Sequence, residues 1–346
     1  MRQQTEITAA GSLLDKKGIL TQKGYAVKPL LNYKRKDIKA PPWRVKEWDF
    51  YQVSNNDYCV QFTIGHTAYA GALTVTFFRF KDGLRYDKNT TLILPFGSLG
   101  MPETSAEGIS ASRKGIDISF EVEADQRAPL QRRVLRCKTT ADKKTPAMEA
   151  RIVLKRRHDS SIVMMTPFKE YPQAFYYNEK ISCMPADGFI NIGEEHFIFE
   201  PASSLGLLDW GRGVWPFSTE WYWGSGSGFV NGKLFGFNIG FGFGDTTAAT
   251  ENMLFYDGKP NKISEVNFDL SAGGYMAPKH FSSDDGSFEM DFTPLYDRYT
   301  ENKLLFVNTQ CHQVFGNFSG KVRLNDGTNL EIKNLKAFTE HAINNW

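Results

Sequence analysis

Trp48-Asp49-Phe50-Tyr51-Gln52-Val53-Ser54-Asn55-Asn56-Asp57-Tyr58-Cys59-Val60-Gln61-Phe62-Thr63-Ile64-Gly65 finds a counterpart 175 residues later. The counterpart is Trp223-Gly224-Ser225-Gly226-Ser227-Gly228-Phe229-Val230-Asn231-Gly232-Lys233-Leu234-Phe235-Gly236-Phe237-Asn238-Ile239-Gly240. Extended without a gap, residues 48–83 lie over 223–258, and eight of the 36 pairs are identical: Trp48/Trp223, Asn56/Asn231, Phe62/Phe237, Ile64/Ile239, Gly65/Gly240, Phe80/Phe255, Asp82/Asp257 and Gly83/Gly258. Average residue usage gives roughly two or three such matches by chance. Phe62 and Ile64 share one face of a strand, and Asp82-Gly83 suits the positive φ of a tight hairpin. The offset is about half the chain length of 346 residues, so the whole chain reads as one unit used twice.

Strand periodicity runs outward from this repeat. Gly115-Ile116-Asp117-Ile118-Ser119-Phe120-Glu121-Val122-Glu123 alternates apolar and polar without a break. The same period appears in Ser287-Phe288-Glu289-Met290-Asp291-Phe292 and Val266-Asn267-Phe268-Asp269-Leu270, and more weakly over 150–154. Asx-Gly turn pairs separate the runs, at Asp82-Gly83, Asn231-Gly232, Asp257-Gly258 and Asp326-Gly327. The expected fold is all-β: two antiparallel barrels, one over residues 1–190 with a leading extension and one over 191–346. A pair of β-sandwiches is the competing arrangement. Leu335, Phe338, Ala342, Ile343 and Trp346 fall at helical spacing, which predicts a short C-terminal helix docked outside the second barrel.

Composition agrees with a globular protein: 41% hydrophobic, 23% charged and 14% aromatic, with 27 Phe and 30 Gly. A net charge of +2 gives no reason to expect a nucleic-acid partner, and the basic runs at 132–136 and 155–157 read as solvated strand faces. No stretch of about 18 apolar residues predicts a transmembrane segment. The start lacks the apolar core of a signal peptide, and four scattered cysteines (Cys59, Cys137, Cys183, Cys311) suit free thiols, so a cytoplasmic protein is expected. The sequence leaves the oligomeric state open.

Residues 209–258 carry the chemistry-bearing candidates. Four of the seven tryptophans, Trp210, Trp215, Trp221 and Trp223, lie within fourteen positions. From Phe235 to Phe243 large apolar residues take the odd positions and Gly or Asn the even ones, so a strand here has one face of rings and one nearly bare face. A bare face admits another backbone or leaves room for a ligand, and both readings stand. Trp221 and Trp223 point to one side and Tyr222 to the other; two indoles facing a cavity make a box for a hydrocarbon or a cation. Arg212 suits bidentate binding of a carboxylate or phosphate, or a structural clamp with Asp209 or Glu220. Asn238 stands alone among the glycines, and Asp245, Glu251 and Asn252 follow it. The expected catalytic residues are Asp245 and Glu251. The expected ligand-binding set is Asp209, Trp210, Arg212, Trp215, Trp221, Tyr222, Trp223, Asn238 and Asn252.

Familiar catalytic signatures are missing. Gly224-Ser225-Gly226-Ser227-Gly228 has the wrong register for a Gly-x-Ser-x-Gly elbow, and no phosphate-binding loop or dinucleotide fingerprint occurs. The six histidines are spread singly without metal-ligand spacing, so neither a metal nor a cofactor is expected.

Leu208-Asp209-Trp210-Gly211-Arg212-Gly213-Val214-Trp215-Pro216, Trp221-Tyr222-Trp223, Gly236-Phe237-Asn238-Ile239-Gly240 and Glu251-Asn252-Met253-Leu254-Phe255 resemble the bacterial "domain of unknown function 2804" family. So do Lys46-Glu47-Trp48-Asp49-Phe50-Tyr51, His66-Thr67-Ala68-Tyr69-Ala70-Gly71 and Tyr177-Asn178-Glu179-Lys180. More distantly, that family is similar to the duplicated lipocalin-like superfamily of carotenoid 1,2-hydratase, tocopherol cyclase and AttH-like proteins. The resemblance implies a double lipocalin-like barrel and alkene protonation by a carboxylic acid, with Asp245 or Glu251 as acid and Trp221 and Trp223 beside the cation. The histidine associated with the hydratase-type site has no counterpart between His196 and His280, which weighs against hydration. The expected function is binding of a hydrophobic, isoprenoid- or lipid-like small molecule in the second barrel, with acid–base chemistry on it as a hydratase or cyclase. The alternatives are a non-catalytic carrier and a glycan-binding or structural module.

Overall fold

The computed structural model describes residues 3–345 except 68, 96, 125–129, 269–272 and 305–306. Among the described residues there is no α-helix; two short 3-10 turns, Arg35–Asp37 and Pro42–Arg44, precede the strand Val45–Ser54. Nearly everything else is strand. The first large sheet runs Arg85–Ile93, Ala70–Arg79, Tyr58–His66, Val45–Ser54, Leu205–Val214, Phe175–Ile192, Met148–Lys155, Gln131–Thr139, Ile116–Ala124, Ile109–Arg113. The second runs Lys259–Lys262, Met253–Tyr256, Lys233–Phe241, Ser218–Val230, Asn329–Asn345, Val307–Arg323, Phe288–Leu304, Lys279–Ser283, Val266–Phe268. Both curl into near-barrels of antiparallel neighbours, the arrangement expected of a duplicated lipocalin-like fold.

The repeat is visible in the register. Val45–Ser54, Tyr58–His66 and Ala70–Arg79 are successive neighbours in the first sheet, as Ser218–Val230, Lys233–Phe241 and Met253–Tyr256 are in the second. Trp48 pairs with Gly65, and Trp223 pairs with Gly240, so two identities of the alignment are one cross-strand pair used twice. Phe62 and Ile64 are fully buried in the first core, Phe237 and Ile239 in the second. Each such side chain stabilises its barrel by about 1.5–3 kcal/mol through apolar burial. Asn231 and Gly232, at φ of 52° and 74°, make the two-residue turn between paired Val230 and Lys233.

The expected C-terminal helix is corrected. Residues Asn329–Asn345 form a strand, not a helix, and Trp346 lies outside the described residues. The strand is covered on both faces. Leu335 and Ala337 enter the second core, while Phe338 turns to a cluster with Phe78, Leu207, Trp223 and Phe315 that joins the two sheets. Burial on both faces, together with a register shift opposite residues 318–320, imitates helical spacing. The change of sheet comes between Val214 and Ser218, because Glu195–Phe199 and Leu205–Val214 pair with Phe175–Ile192, and Leu205–Val214 also with Val45–Ser54. The basic run 132–136 is mixed. Arg132 and Arg136 pair with Glu123 and Glu121 at the surface, but Arg133 turns inward to Tyr51 Oη (3.1 Å) and Ser105 O (2.6 Å). The alternation at 266–270 is strand over Val266–Phe268; Asp269 and Leu270 lie outside the described residues. Cys59, Cys137, Cys183 and Cys311 are free thiols. No helix of the described residues is long and apolar enough to cross a membrane.

Candidate functional site

Alternation along Ser218–Val230 sends Trp221 and Trp223 away from the second core and toward the first sheet. Tyr222 goes the other way, stacking on Phe241 and His341. The two indoles wall a cavity of about 310 Å³ between the sheets. The first sheet contributes Trp48, Phe50, Tyr176, Lys180 and Asp209; the second adds Arg298, Gln313 and Glu340, and Glu251 comes from the connection before its strand Met253–Tyr256. The duplicated Trp48 and Trp223 therefore line one shared cavity, lying where the two copies of the unit meet.

Its charged groups are tightly held. Lys180 is buried and ion-paired to Glu251 at 2.5 Å, with its ammonium 5.0 Å from the centre of the Trp223 ring system and 5.8 Å from that of Tyr176. Burial works against the Lys180 charge, but Glu251 and Asp209 outweigh it and raise its pKa. Burial also pushes the Asp209 carboxyl up, against the pull of Lys180 and a hydrogen bond from Asn178 Nδ2 (2.5 Å). The Glu340 carboxyl is raised for the same reason, although Trp221 Nε1 (2.9 Å) and Gln313 Nε2 (3.0 Å) donate to its two oxygens. One lysine thus faces three carboxylates in a poorly solvated space, and two of those carboxyls are biased toward carrying a proton.

The bare strand face serves both purposes that the sequence left open. A Cβ on Gly236 would stand 2.4 Å from Cys183 Sγ, so this glycine lets the first sheet approach closely. A Cβ on Gly240 would stand 2.4 Å from Glu251 Oε1, so that glycine makes room for the carboxylate. Asn238, between them, accepts from Trp223 Nε1 (2.7 Å) and donates to Glu251 O (2.8 Å) and Oε2 (2.9 Å), fixing indole and acid together.

The residues singled out from sequence divide accordingly. Asp209, Trp221, Trp223 and Glu251 line the cavity, and Asn238 braces it. Trp215 packs behind the wall, 5.3 Å from Trp48 and 5.4 Å from Phe243. Trp210 belongs to the first core, against Tyr177. Arg212 is a fully buried clamp, but its partner is Asp49 (2.8 Å) rather than Asp209 or Glu220. Its remaining donors meet the carbonyls of Trp48, Gly211 and Pro102. Asn252 straps Gly240 N to Ser264 O inside the second sheet, and Tyr222 faces that sheet's own interior. Asp245 stands apart on the loop after the 233–241 strand, where hydrogen bonding from Thr247 holds its carboxyl below the usual range.

Sequence reasoning missed Trp48, Tyr176, Lys180, Arg298 and Glu340 as cavity residues. Trp48 carried a usable signal, being the repeat mate of Trp223. Glu340 was hidden by the helix expected over its segment. Lys180 and Tyr176 reach the cavity through long-range pairing of Phe175–Ile192 with Leu205–Val214, which no local pattern announces. No group of three or more His, Cys, Asp or Glu that could hold a metal ion occurs among the described residues.

Solved structures with a similar fold cover both halves. A putative AttH from Nitrosomonas europaea matches with a TM-score of 0.55 at 15% identity, over 91% of this chain and 98% of the other. Kievitone hydratase from Nectria haematococca matches with a TM-score of 0.55 at 10% identity, over 86% and 88%. At these identities the likeness establishes the fold alone. No curated protein sequence matches significantly. Residues 4–346 match the model of a domain of unknown function, DUF2804, and the chain belongs to that family.

Proposed function

We propose that this protein binds a hydrophobic, isoprenoid- or lipid-like small molecule in the cavity between its two sheets and performs acid–base chemistry on it. The observation carrying this reading is the pairing of protonation-biased Asp209 and Glu340 with the aromatic walls Trp48, Trp221 and Trp223. The volume of about 310 Å³ is at the lower end of small-molecule sites, which run from about 300 to 1,000 Å³. Asp209 or Glu340 gives its proton to one carbon of an alkene, and the neighbouring carbon becomes cationic. The faces of Trp221 and Trp223 stabilise that cation. Capture of the cation by water completes a hydration and capture by a hydroxyl of the ligand itself completes a cyclisation; in each the attacking O–H releases its proton to the carboxylate, so no acid is consumed. Glu251 stays paired with Lys180; burial pushes the other two carboxyls up, and at Asp209 the Glu251 charge adds to it. Asp245 has no role in this scheme. One fold neighbour bears the name of a hydratase, which fits the class of reaction. Trp223 is only 5% exposed, which disfavours a surface platform for sugars.

The test is native mass spectrometry of freshly purified protein, followed by incubation with a panel of isoprenoid alkenes in deuterated water. The account expects a hydrophobic adduct that disappears in Trp223→Ala, and one deuterium in the product. Asp209→Asn with Glu340→Gln would keep the adduct and lose the deuterium. An adduct that turns over equally well in that double variant contradicts the acid–base role, and clean protein indifferent to the panel contradicts binding.

A further inference from the structure

The interior face of the second sheet carries a row of rings that the inter-sheet cavity does not use. Tyr299 pairs with His312, His312 with His341, His341 with Tyr222, and Tyr222 with Phe241, one residue from each of five adjacent strands. Tyr222 stacks on Phe241 with centroids 4.6 Å apart and on His341 at 4.2 Å, both at 11°; Tyr299 meets His312 at 4.4 Å. Phe268 and Phe281 stand beside this shelf and, with Tyr222, His312 and His341, border a cavity of about 210 Å³. Trp221 and Trp223 point to the opposite face of the same sheet, so the two cavities lie on its two faces.

One ring already lies on the shelf. Tyr275 stacks on His312 with centroids 3.6 Å apart and 10° between planes, and its hydroxyl is 2.7 Å from His341 Nδ1. The other nitrogen, His341 Nε2, is 2.8 Å from Glu220 Oε1. A carboxylate only accepts, so Nε2 carries a proton, and in the tautomer that bears only that proton Nδ1 is an acceptor aimed at the ring's hydroxyl. Asp297 orients His312 in the same way, 2.7 Å from its Nδ1. Tyr275 is 37% exposed and follows two glycines in the left-handed region, so stacking and one hydrogen bond hold it, not enclosure.

We infer that the mouth of the second barrel is a second ligand site, for a hydroxylated aromatic ring, which the phenol of Tyr275 occupies in the free protein. The shelf supplies a stacking surface; the Glu220–His341 pair selects a ring that donates a hydroxyl over the same ring without one.

The experiment uses the full chain with Tyr275→Ala, and p-cresol and toluene as probes, titrated calorimetrically. Saturable p-cresol binding about tenfold tighter than toluene is expected, with wild type binding p-cresol more weakly than the variant because its own tyrosine competes. Adding His341→Phe keeps a ring in the row and removes the acceptor; p-cresol then falls to the toluene level while toluene is unchanged. Glu220→Gln, at a partly exposed side chain, gives the same direction if His341→Phe perturbs folding. Adding Trp223→Ala leaves p-cresol binding intact. The inference is overturned if Tyr275→Ala fails to bind p-cresol, if toluene binds equally, or if Trp223→Ala abolishes the binding.

Discussion

Gly240→Ala isolates the coupling between the bare strand face and the buried charges. The added methyl would sit 2.4 Å from Glu251 Oε1, 2.7 Å from its Cδ and 3.0 Å from the carbonyl of Tyr222. The backbone cannot yield, so the carboxylate must leave, breaking its contacts with Lys180 and with Asn238 Nδ2. The Lys180 and Glu251 side chains are only 4% and 15% exposed, so solvent replaces little of what is lost. Breaking a buried pair by removing one partner costs about 3–5 kcal/mol. Asp209 remains near the ammonium and recovers part of that, leaving about 2–3 kcal/mol. The control is the repeat mate. A Cβ on Gly65 meets only Thr63 Cγ2 at 3.8 Å and Ala72 O at 3.9 Å, so Gly65→Ala is neutral or stabilising by up to about 1 kcal/mol. Urea denaturation of both variants measures the difference. In a Glu251→Ala background the Gly240→Ala penalty falls below about 1 kcal/mol, because no carboxylate remains to displace. Equal stability of Gly240→Ala and Gly65→Ala, or an undiminished penalty in the Glu251→Ala background, refutes the reasoning.

Three further outcomes follow from the same geometry. Arg212→Met strands the buried Asp49 carboxylate and empties the carbonyl contacts, so denaturation should register a loss of about 3–5 kcal/mol, part of it recovered by adding Asp49→Leu. The Asp209 pKa is raised in the folded state, so its contribution is present in full below the unfolded value near 3.8 and is lost as pH rises through the folded value. Asp209→Asn should therefore gain stability relative to wild type between pH 4 and pH 8, and a flat difference across that range would contradict the assignment. Asp245→Asn should change stability by less than about 0.5 kcal/mol and leave binding of any co-purifying ligand untouched; a large effect on that binding would restore it to the site.

The architecture was legible because duplication repeats physics as well as letters. The Trp48/Gly65 and Trp223/Gly240 identities are the same cross-strand pair, and the Phe-x-Ile pattern fills each barrel. Legibility failed where a strand is buried on both faces. Leu335 and Phe338 enter two different clusters, and their combined spacing looks helical. The site was half legible: Trp221, Trp223, Glu251 and the glycine face were marked by composition. Their mates Lys180 and Glu340 were not, because the cavity lies between the barrels and both come from strands distant in sequence. Facing out of the second core, Trp221 and Trp223 bring residues of the first half to the candidate site.

The central claim is that the ligand lies between the sheets. Crystals soaked with 1-bromooctane and measured at the bromine absorption edge test it most directly. The account predicts an anomalous peak bounded by Trp48, Trp221 and Trp223, absent after Trp223→Ala. A peak among Phe237, Phe288 and Phe318 inside the second barrel, with the inter-sheet cavity empty, would contradict it.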